Sequence, residues 1–174
     1  DYCLGQPASN SAPELIVCVA RYGIWQKRRK WFLDYYSKAG LNLPKPFDKY
    51  YSTIVPVMYA IGPFGVLGLL KKAVFGVVRF FTPFSAVHHN NKDLALSAVK
   101  STALACQNLM LALRSQGFDS CPLEGFDAGR VSKLLSLPAK TKIVMVLAVG
   151  KRAESDALYG PQVRCDRMEM VHEV

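Results

Sequence analysis

The stretch that decides the fold is residues 107–127, which read QNLMLALRSQGFDSCPLEGFD. Its first part is apolar on nearly every face, which predicts the end of a central buried helix, and Gly117 is well placed as the C-terminal cap. Beyond it, Pro122 fixes one backbone angle and Gly125 lets a flat ligand approach the backbone closely. The N–H groups of Glu124 and Gly125 remain free to meet an acceptor. The residues alone predict a rigid turn between two helices, with a ligand-binding role as an open alternative.

Capping residues on both sides of this stretch mark helices. Asn90 or Asn91 is placed to cap the long helix that runs toward Gly117. Downstream, Asp127 is placed to cap a short helix that ends near Pro138.

Two apolar segments further out predict buried strands. Residues 15–20 (LIVCVA) and 142–149 (KIVMVLAV) are short, continuous and rich in β-branched side chains. A helical pattern follows the first of them from residue 24 to about residue 39, and the weak alternation of the tail, residues 168–174, is compatible with an edge strand for this chain or a partner. Helices around a small sheet predict an α+β fold, specifically a three-layer α/β/α arrangement.

An apolar helical insert occupies about residues 50–86. Its segment 53–70 carries no charge and has the length of a marginal membrane span, but Pro56 and Pro63 interrupt it. We therefore expect two short helices folded over the core or over an active-site mouth. The alternative is a peripheral membrane contact, and a true span is the least favoured reading. The cations that would meet lipid headgroups are Lys71, Lys72 and Arg79.

Charge and composition favour an anion-binding globular protein. The chain has 174 residues, 51% of them hydrophobic, and a formal net charge of +9, which suits phosphorylated cofactors or other anions. The basic run at residues 27–30 is typical of a solvated helix face, and since no recognition motif accompanies it, no nucleic-acid partner is expected. The chain opens on Asp1 with neither the charged start nor the apolar run of a secretory signal, so we expect further sequence upstream.

Cysteine and histidine spacing gives no support for a metal site. The five cysteines are widely and irregularly spaced with no CxxC, which argues against a disulfide framework or zinc and for a reducing, cytoplasmic compartment. Cys18 and Cys106 lie in apolar runs and are expected in the core. His88 and His89 are adjacent and are expected to form a loop pair, so no metal is predicted.

Residues 107–127 resemble the second-half signature of the nitroreductase family. That signature is a helix of the form NLMLAA, a glycine, and a loop with proline, an acidic residue or glycine, and glycine in series. The onward spacing to Pro138, the apolar strand and a closing Arg164 is also similar, and the resemblance extends from Pro13 to Val174. It implies a single, partial nitroreductase-like domain over residues 1–174, in which the family's early Arg-x-Ser phosphate clamp and Asn-containing loop are not found.

The resemblance also implies a cofactor and its ligands. Family members are homodimers that bind FMN at the subunit interface, and the cofactor-binding loop would here be Cys121, Pro122, Leu123, Glu124 and Gly125. The backbone N–H groups of Glu124 and Gly125 would face flavin N5 and O4.

Outside this loop, the resemblance assigns phosphate-side and substrate-side residues. Arg164 matches the late phosphate-binding arginine, and Gln162 stands where the family often has lysine. The neighbouring pair Lys151 and Arg152 is an alternative source of positive charge. Trp31 or Phe32 would lie near the substrate, or either ring would simply belong to the core.

The implied activity is hydride transfer from NAD(P)H, through flavin N5, to a nitroaromatic or quinone-type small-molecule acceptor. Two other hypotheses stay open. One is a non-catalytic membrane-surface or interaction module that uses residues 53–84, and the other is a flavin-binding homologue without turnover.

Overall fold

A three-stranded antiparallel sheet organises the chain. The computed structural model describes residues 2–84, 87–153 and 163–172. The strands are β1 (Glu14–Arg21), β2 (Asp119–Leu123) and β3 (Thr141–Gly150), in the sheet order β1-β3-β2. Both edge strands pair antiparallel with β3, and the register with β1 shifts between Cys18 and Val19.

Helices make up most of the remaining described chain. Short 3-10 turns cover Tyr22–Ile24 and Pro63–Gly65, and a π-helical turn covers Tyr50–Ile54. The α-helices are α1 (Pro7–Ser11), α2 (Trp25–Lys38), α3 (Lys45–Lys49), α4 (Val55–Tyr59), α5 (Val66–Phe81), α6 (Asn91–Ser115), α7 (Ala128–Leu134) and α8 (Arg167–Met170). Mixed helix and sheet with the helices outside the sheet confirm the predicted α+β class.

The central strand is buried on both faces, as its unbroken apolar sequence predicts. On one face Val146 and Ala148 pack with Leu123 and Cys3, and this cluster is covered by the N-terminal segment that contains α1. On the other face lies α6, which contacts all three strands. Cys18 of β1 meets Cys106 of α6 there, and burial, followed by the hydrogen bond and charge of Cys106, raises the pKa of the Cys18 thiol to about 12.

Local capping signals set both ends of α6. The side chain of Asn90 accepts hydrogen bonds from the backbone N–H of Lys92 at 2.7 Å and of Asp93 at 3.0 Å. The Asp93 carboxylate accepts in return from the Asn90 N–H at 3.3 Å, which completes a capping box. Gly117, with a φ of +81°, follows the last turn in the left-handed conformation that favours glycine. The predicted helix bounds are therefore confirmed.

The prediction that α6 is a central buried helix is wrong for its outer side. Leu104 and Leu111 are 71% and 60% exposed, because the sheet covers only the face that carries Cys106. By length and composition α6 is apolar enough to cross a membrane. A core helix passes the same test, and one side of α6 packs against the sheet along its length.

The tail also differs from the expectation of an edge strand. The Asp166 side chain accepts a hydrogen bond from the Met168 N–H at 2.9 Å, and this cap starts the short helix α8. The local capping signal of Asp166 therefore determines the structure of this segment, and the weak alternation of the tail does not.

The apolar insert forms the two helices that its prolines and glycines predict. α4 and α5 are separated by a turn in which Gly62 and Gly65 have φ values of +75° and +79°. Helix α5 approaches the following segment so closely that a Cβ at Gly68 would lie 1.8 Å from the His89 carbonyl oxygen. This contact fixes which side of α5 faces the protein.

The placement of Lys71 at lipid headgroups is wrong. Its side chain is buried, and the ammonium donates to the carbonyls of Val57 at 2.9 Å and Met58 at 3.2 Å. These carbonyls lie in the last turn of α4, where backbone acceptors lack helical partners and attract a cation. Burial lowers the pKa of Lys71, and the side chain ties α5 to α4.

We expect the substitution Lys71→Ala to lower the free energy of unfolding by about 1–3 kcal/mol, because the carbonyls of Val57 and Met58 lose their charged donor. The adjacent Lys72, which is exposed, supplies a matched control, and Lys72→Ala should change stability by less than about 0.5 kcal/mol. Urea denaturation of the two variants gives the comparison. Equal losses in both would show that the Lys71 contacts do not stabilise the helix pair.

Candidate functional site

The strongest candidate site lies where β2 ends. After Gly117 the chain enters β2 at the sheet edge, where Pro122 is tolerated although it lacks an N–H donor. Pairing of Leu123 with Val146 ends the strand, and Asp127 then caps α7 by accepting from the Arg130 N–H at 3.0 Å. A strand therefore replaces the helix-to-helix turn that the local sequence predicts, because the pairing partner is remote in sequence.

The corner Glu124–Gly125 is exposed, and the buried side chain of the preceding residue, Leu123, holds it on the core. Leu123 is only 3% exposed and its side chain packs in the core, and its assignment to the cofactor-binding loop stays a prediction. Glu124 and Gly125 are exposed, as are Cys121 and Pro122 before them. Within the described ranges, neither the Glu124 N–H nor the Gly125 N–H has a hydrogen-bond acceptor. Two adjacent backbone donors are thus presented on a rigid base.

Gly125 is also a point of close approach. Its carbonyl accepts a hydrogen bond from the Gln6 side-chain amide. A Cβ at this position would lie 2.8 Å from Gln6 Nε2. Apart from the two residues adjacent in sequence, Gln6 is the one described residue with an atom within 4 Å of that Cβ position. A flexible side-chain end, rather than packed backbone, therefore borders the glycine.

An ion-pair group stands at the other end of β2. Asp119 accepts from Arg114 at 2.9 Å, and from Arg152 at 3.0 Å through Nε and at 3.1 Å through Nη2. Arg152 is engaged in this bidentate ion pair, so its charge is not available to bind a cofactor phosphate, which is the alternative that the sequence leaves open. Lys151 remains exposed.

The predicted phosphate residues are only partly described. Arg164 is exposed, and its guanidinium donates to the Val163 carbonyl at 3.0 Å rather than to the corner. Gln162 lies outside the described residues. The assignment of both to phosphate binding stays a prediction.

The two candidate aromatic residues of α2 have different surroundings. Phe32 packs against the rings of Tyr51 and Tyr36, at centroid distances of 4.1 Å and 4.7 Å, which favours its alternative role as a packing residue. Trp31 is 59% exposed and stacks on Tyr35 at 5.7 Å. A substrate role for Trp31 stays a prediction.

A cleft that the sequence did not reveal lies at the carboxyl end of β1. Its volume is about 570 Å³. Trp25 and Tyr59 contribute ring faces with centroids 5.7 Å apart, and Lys140 contributes a cation. The signal that could have identified Trp25 is its position at the start of the helix that follows β1, close to the end of a strand. The remaining lining residues are Tyr22, Gly23, Gln26, Ile61, Gly62, Pro63, Phe64, Gly65, Asn90, Asn91 and Leu94.

A neutral histidine supports the wall of this cleft. His88 packs on the Tyr59 ring at 4.5 Å, with Nδ1 3.3 Å from the Met58 carbonyl oxygen and Nε2 2.6 Å from Ser97 Oγ. Because a carbonyl only accepts, Nδ1–H donates to Met58 and Nε2 accepts from the Ser97 hydroxyl in the neutral ring. Burial lowers the pKa of His88, although the Met58 hydrogen bond and the Asp93 charge oppose this shift.

We expect the buried neutral His88 to make stability pH-dependent. Its folded pKa is depressed below the ordinary 6.5, so the unfolded chain takes up the proton first and stability falls as pH drops below that value. In His88→Gln the loss of unfolding free energy between about pH 7.5 and about pH 5.5 should shrink. Exposed His172→Gln should keep the wild-type slope. Denaturant titrations across this pH range measure the free energy of unfolding. Identical pH dependence in the wild type and in His88→Gln would refute the assignment of His88 as a buried neutral histidine.

The fold and the corner together define the class of protein. A three-stranded antiparallel sheet packed against a capped helix, with the Glu124–Gly125 corner after β2, is the nitroreductase fold, which solved structures share. One of them, an assigned nitroreductase from Exiguobacterium sibiricum in complex with FMN, aligns with a TM-score of 0.63 and 18% identity, covering 96% of this chain and 65% of that one.

Sequence comparison gives the family. Residues 73–151 match the model of the nitroreductase family, which confirms the resemblance seen in the sequence. The Synechocystis protein DrgA is 49% identical over 57 residues, 33% of this chain and 27% of DrgA. MhqN of Bacillus subtilis, assigned as an NAD(P)H nitroreductase, is 33% identical over 86 residues, 49% of this chain and 42% of MhqN. The matches thus span less than half the length of these relatives.

Proposed function

We propose that the chain binds FMN at the Glu124–Gly125 corner and serves an oxidoreductase that takes hydride from NAD(P)H and reduces small electron-poor acceptors. Nitroaromatics and quinones are the acceptor class that the family resemblance implies. The FMN complex of the Exiguobacterium neighbour and the NAD(P)H assignment of MhqN support both cofactors. The match of residues 73–151 to the nitroreductase family model supports an oxidoreductase reaction.

The observation that carries this proposal is the exposed pair of N–H groups at Glu124 and Gly125. Both donors are free of acceptors within the described part of the chain, and Leu123 holds them on the buried core. Backbone donors held in place before a ligand arrives cost no reorganisation when charge develops on that ligand. The corner therefore fits the hydrogen-bond-accepting edge of a flat ring system.

The residues present indicate which roles belong to the cofactor and which to the protein. When bound, FMN supplies the hydride-transfer chemistry, so the protein needs no acid–base pair at the corner. Glu124 and Gly125 would orient the ring through their N–H groups, and exposed Arg164, which has no carboxylate partner among the described residues, would neutralise phosphate. The net charge of +9 favours these anionic cofactors.

We further propose that the active form is a homodimer built on the exposed face of α6. Leu104 and Leu111, one heptad apart, lie on that face, and Asn108 lies between them. Apolar positions interspersed with polar ones are typical of protein–protein interfaces. We also propose a cytoplasmic location for this form, because the irregular spacing of the five cysteines is typical of a reducing compartment.

Gly125→Val should raise the dissociation constant for FMN by at least about 10-fold, equal to about 1.4 kcal/mol, because a branched side chain would fill the approach to the two N–H groups. No positive φ restrains Gly125, and the nearest obstacle is the end of the Gln6 side chain, so the fold should persist. Gly129→Val is the matched control, since a Cβ there meets its nearest neighbour at an ordinary 3.4 Å. FMN fluorescence quenching measures the affinity and thermal unfolding checks the fold.

Unchanged FMN affinity in Gly125→Val, or a wild-type protein that stays colourless after FMN addition, would contradict the proposed site. A yellow protein that oxidises neither NADH nor NADPH in the presence of a quinone would instead be a flavin-binding homologue without turnover.

Leu104→Glu should convert the dimer to monomers, because a carboxylate would be buried at the centre of the α6 face. Light scattering should then give a mass near the 19.3 kDa of one chain in place of twice that value. Leu134→Glu, on the exposed end of α7, is the control and should leave the mass unchanged. A monomeric wild type, or a dimeric Leu104→Glu variant, would exclude this interface.

A further inference from the structure

Helix α5 packs on the protein along only a narrow stripe. Gly68 and Lys71 are buried, and Phe75 and Val78 continue the same side at helical spacing. Close contact of Gly68 with the His89 carbonyl and the two hydrogen bonds of Lys71 fix this side inward. The rest of the helix surface points away from the described protein.

The outward surface of α5 is almost entirely apolar. Its large side chains are between 41% and 85% exposed, and Phe64, on the turn that leads into the helix, is fully exposed. So large a contiguous apolar patch marks an interaction surface. We call this surface the α5 apolar face, and its members are Phe64, Val66, Leu67, Leu69, Leu70, Val74, Val77, Phe80 and Phe81.

The charged residues of α5 and of the segments that flank it in sequence are all positive. No Asp or Glu occurs between Lys49 and Lys92, and Lys72 and Arg79 are exposed on the helix itself. A second copy of the chain would bring the same cations, and a net charge of +9, against this face. An anionic lipid surface is complementary both to the apolar side chains and to the cations.

We propose that the α5 apolar face lies in the interface of an anionic lipid bilayer. The helix has 16 residues, shorter than the roughly 20 that a membrane-crossing helix needs, and its inner stripe is occupied by protein. It also bends by 75° from the preceding helical segment, so the two do not form one straight span. An orientation along the membrane plane inserts the apolar face and lets Lys72 and Arg79 extend to the headgroups. This inference does not depend on flavin binding.

Vesicle flotation of the full chain tests the proposal, with vesicles of three parts phosphatidylcholine to one part phosphatidylglycerol. Leu69→Glu should weaken vesicle partitioning by about 10-fold or more, because it puts a carboxylate into the apolar face. Leu134→Glu is the matched control, since Leu69 and Leu134 are 71% and 66% exposed on different helices, and it should bind as the wild type does. Circular dichroism confirms that both variants are folded.

Charge variants separate the electrostatic part of binding. Lys72→Gln and Arg79→Gln should each reduce partitioning into the anionic vesicles by about fivefold. Binding to pure phosphatidylcholine vesicles should be weaker from the start and insensitive to both changes.

Two results would overturn the proposal: no flotation of the wild type with anionic vesicles, or equal flotation of Leu69→Glu and Leu134→Glu. If the wild type does not float and Leu69→Glu also loses an oligomer, the α5 apolar face is assigned to a second copy of the chain. Flavin content, measured on the same samples, reports separately on the corner.

Discussion

Pairing of β3 with both of its neighbours is the constraint on which the rest of the structure depends. Thr141–Gly150 bonds to β1 on one side and β2 on the other, and its residues Val146–Val149 are buried. The same register that brings Leu123 opposite Val146 sinks the Leu123 side chain into the core. The backbone beyond it must then leave the sheet, and the two N–H groups of Glu124 and Gly125 emerge where strand pairing ends. The exposed donors of the corner are thus a consequence of how the sheet terminates.

The sequence predicts those parts of this arrangement whose signals are local. Asn90, Gly117 and Asp127 each mark a helix end within a few residues, and the two strands with unbroken apolar runs are recognisable by themselves. Strand β2 is different, because DSCPL is short, contains proline and has no alternation. Only its pairing with a strand more than twenty residues downstream makes it a strand, and no local pattern carries that information. The motif itself was recognised, but the burial of Leu123 follows from the register.

Charged and titratable side chains in the insert show the same limit. A lysine in an apolar run is expected to reach for water or headgroups, yet Lys71 turns inward because α4 ends beside it with carbonyls to satisfy. His88 bonds the same end of α4 through Met58 and binds Ser97 on α6. These contacts join residues that are 9 to 30 positions apart in the chain, so they depend on the helix arrangement and not on neighbours in sequence.

The outer face of α6 and the α5 apolar face are both exposed, and their composition separates their proposed roles. The outer face of α6 alternates leucines with Asn108 and with the hydroxyls of Ser101 and Ser115, a mixture that another protein surface can match by hydrogen bonding. The α5 apolar face offers no such groups, and its polar atoms are the cations at its borders. A protein partner would have to cover this face with apolar side chains, as in a protein core. A bilayer covers it with hydrocarbon, and its phosphate headgroups contact the cations at the borders. The two proposed contacts use different helices of the chain, α6 for the second subunit and α5 for lipid.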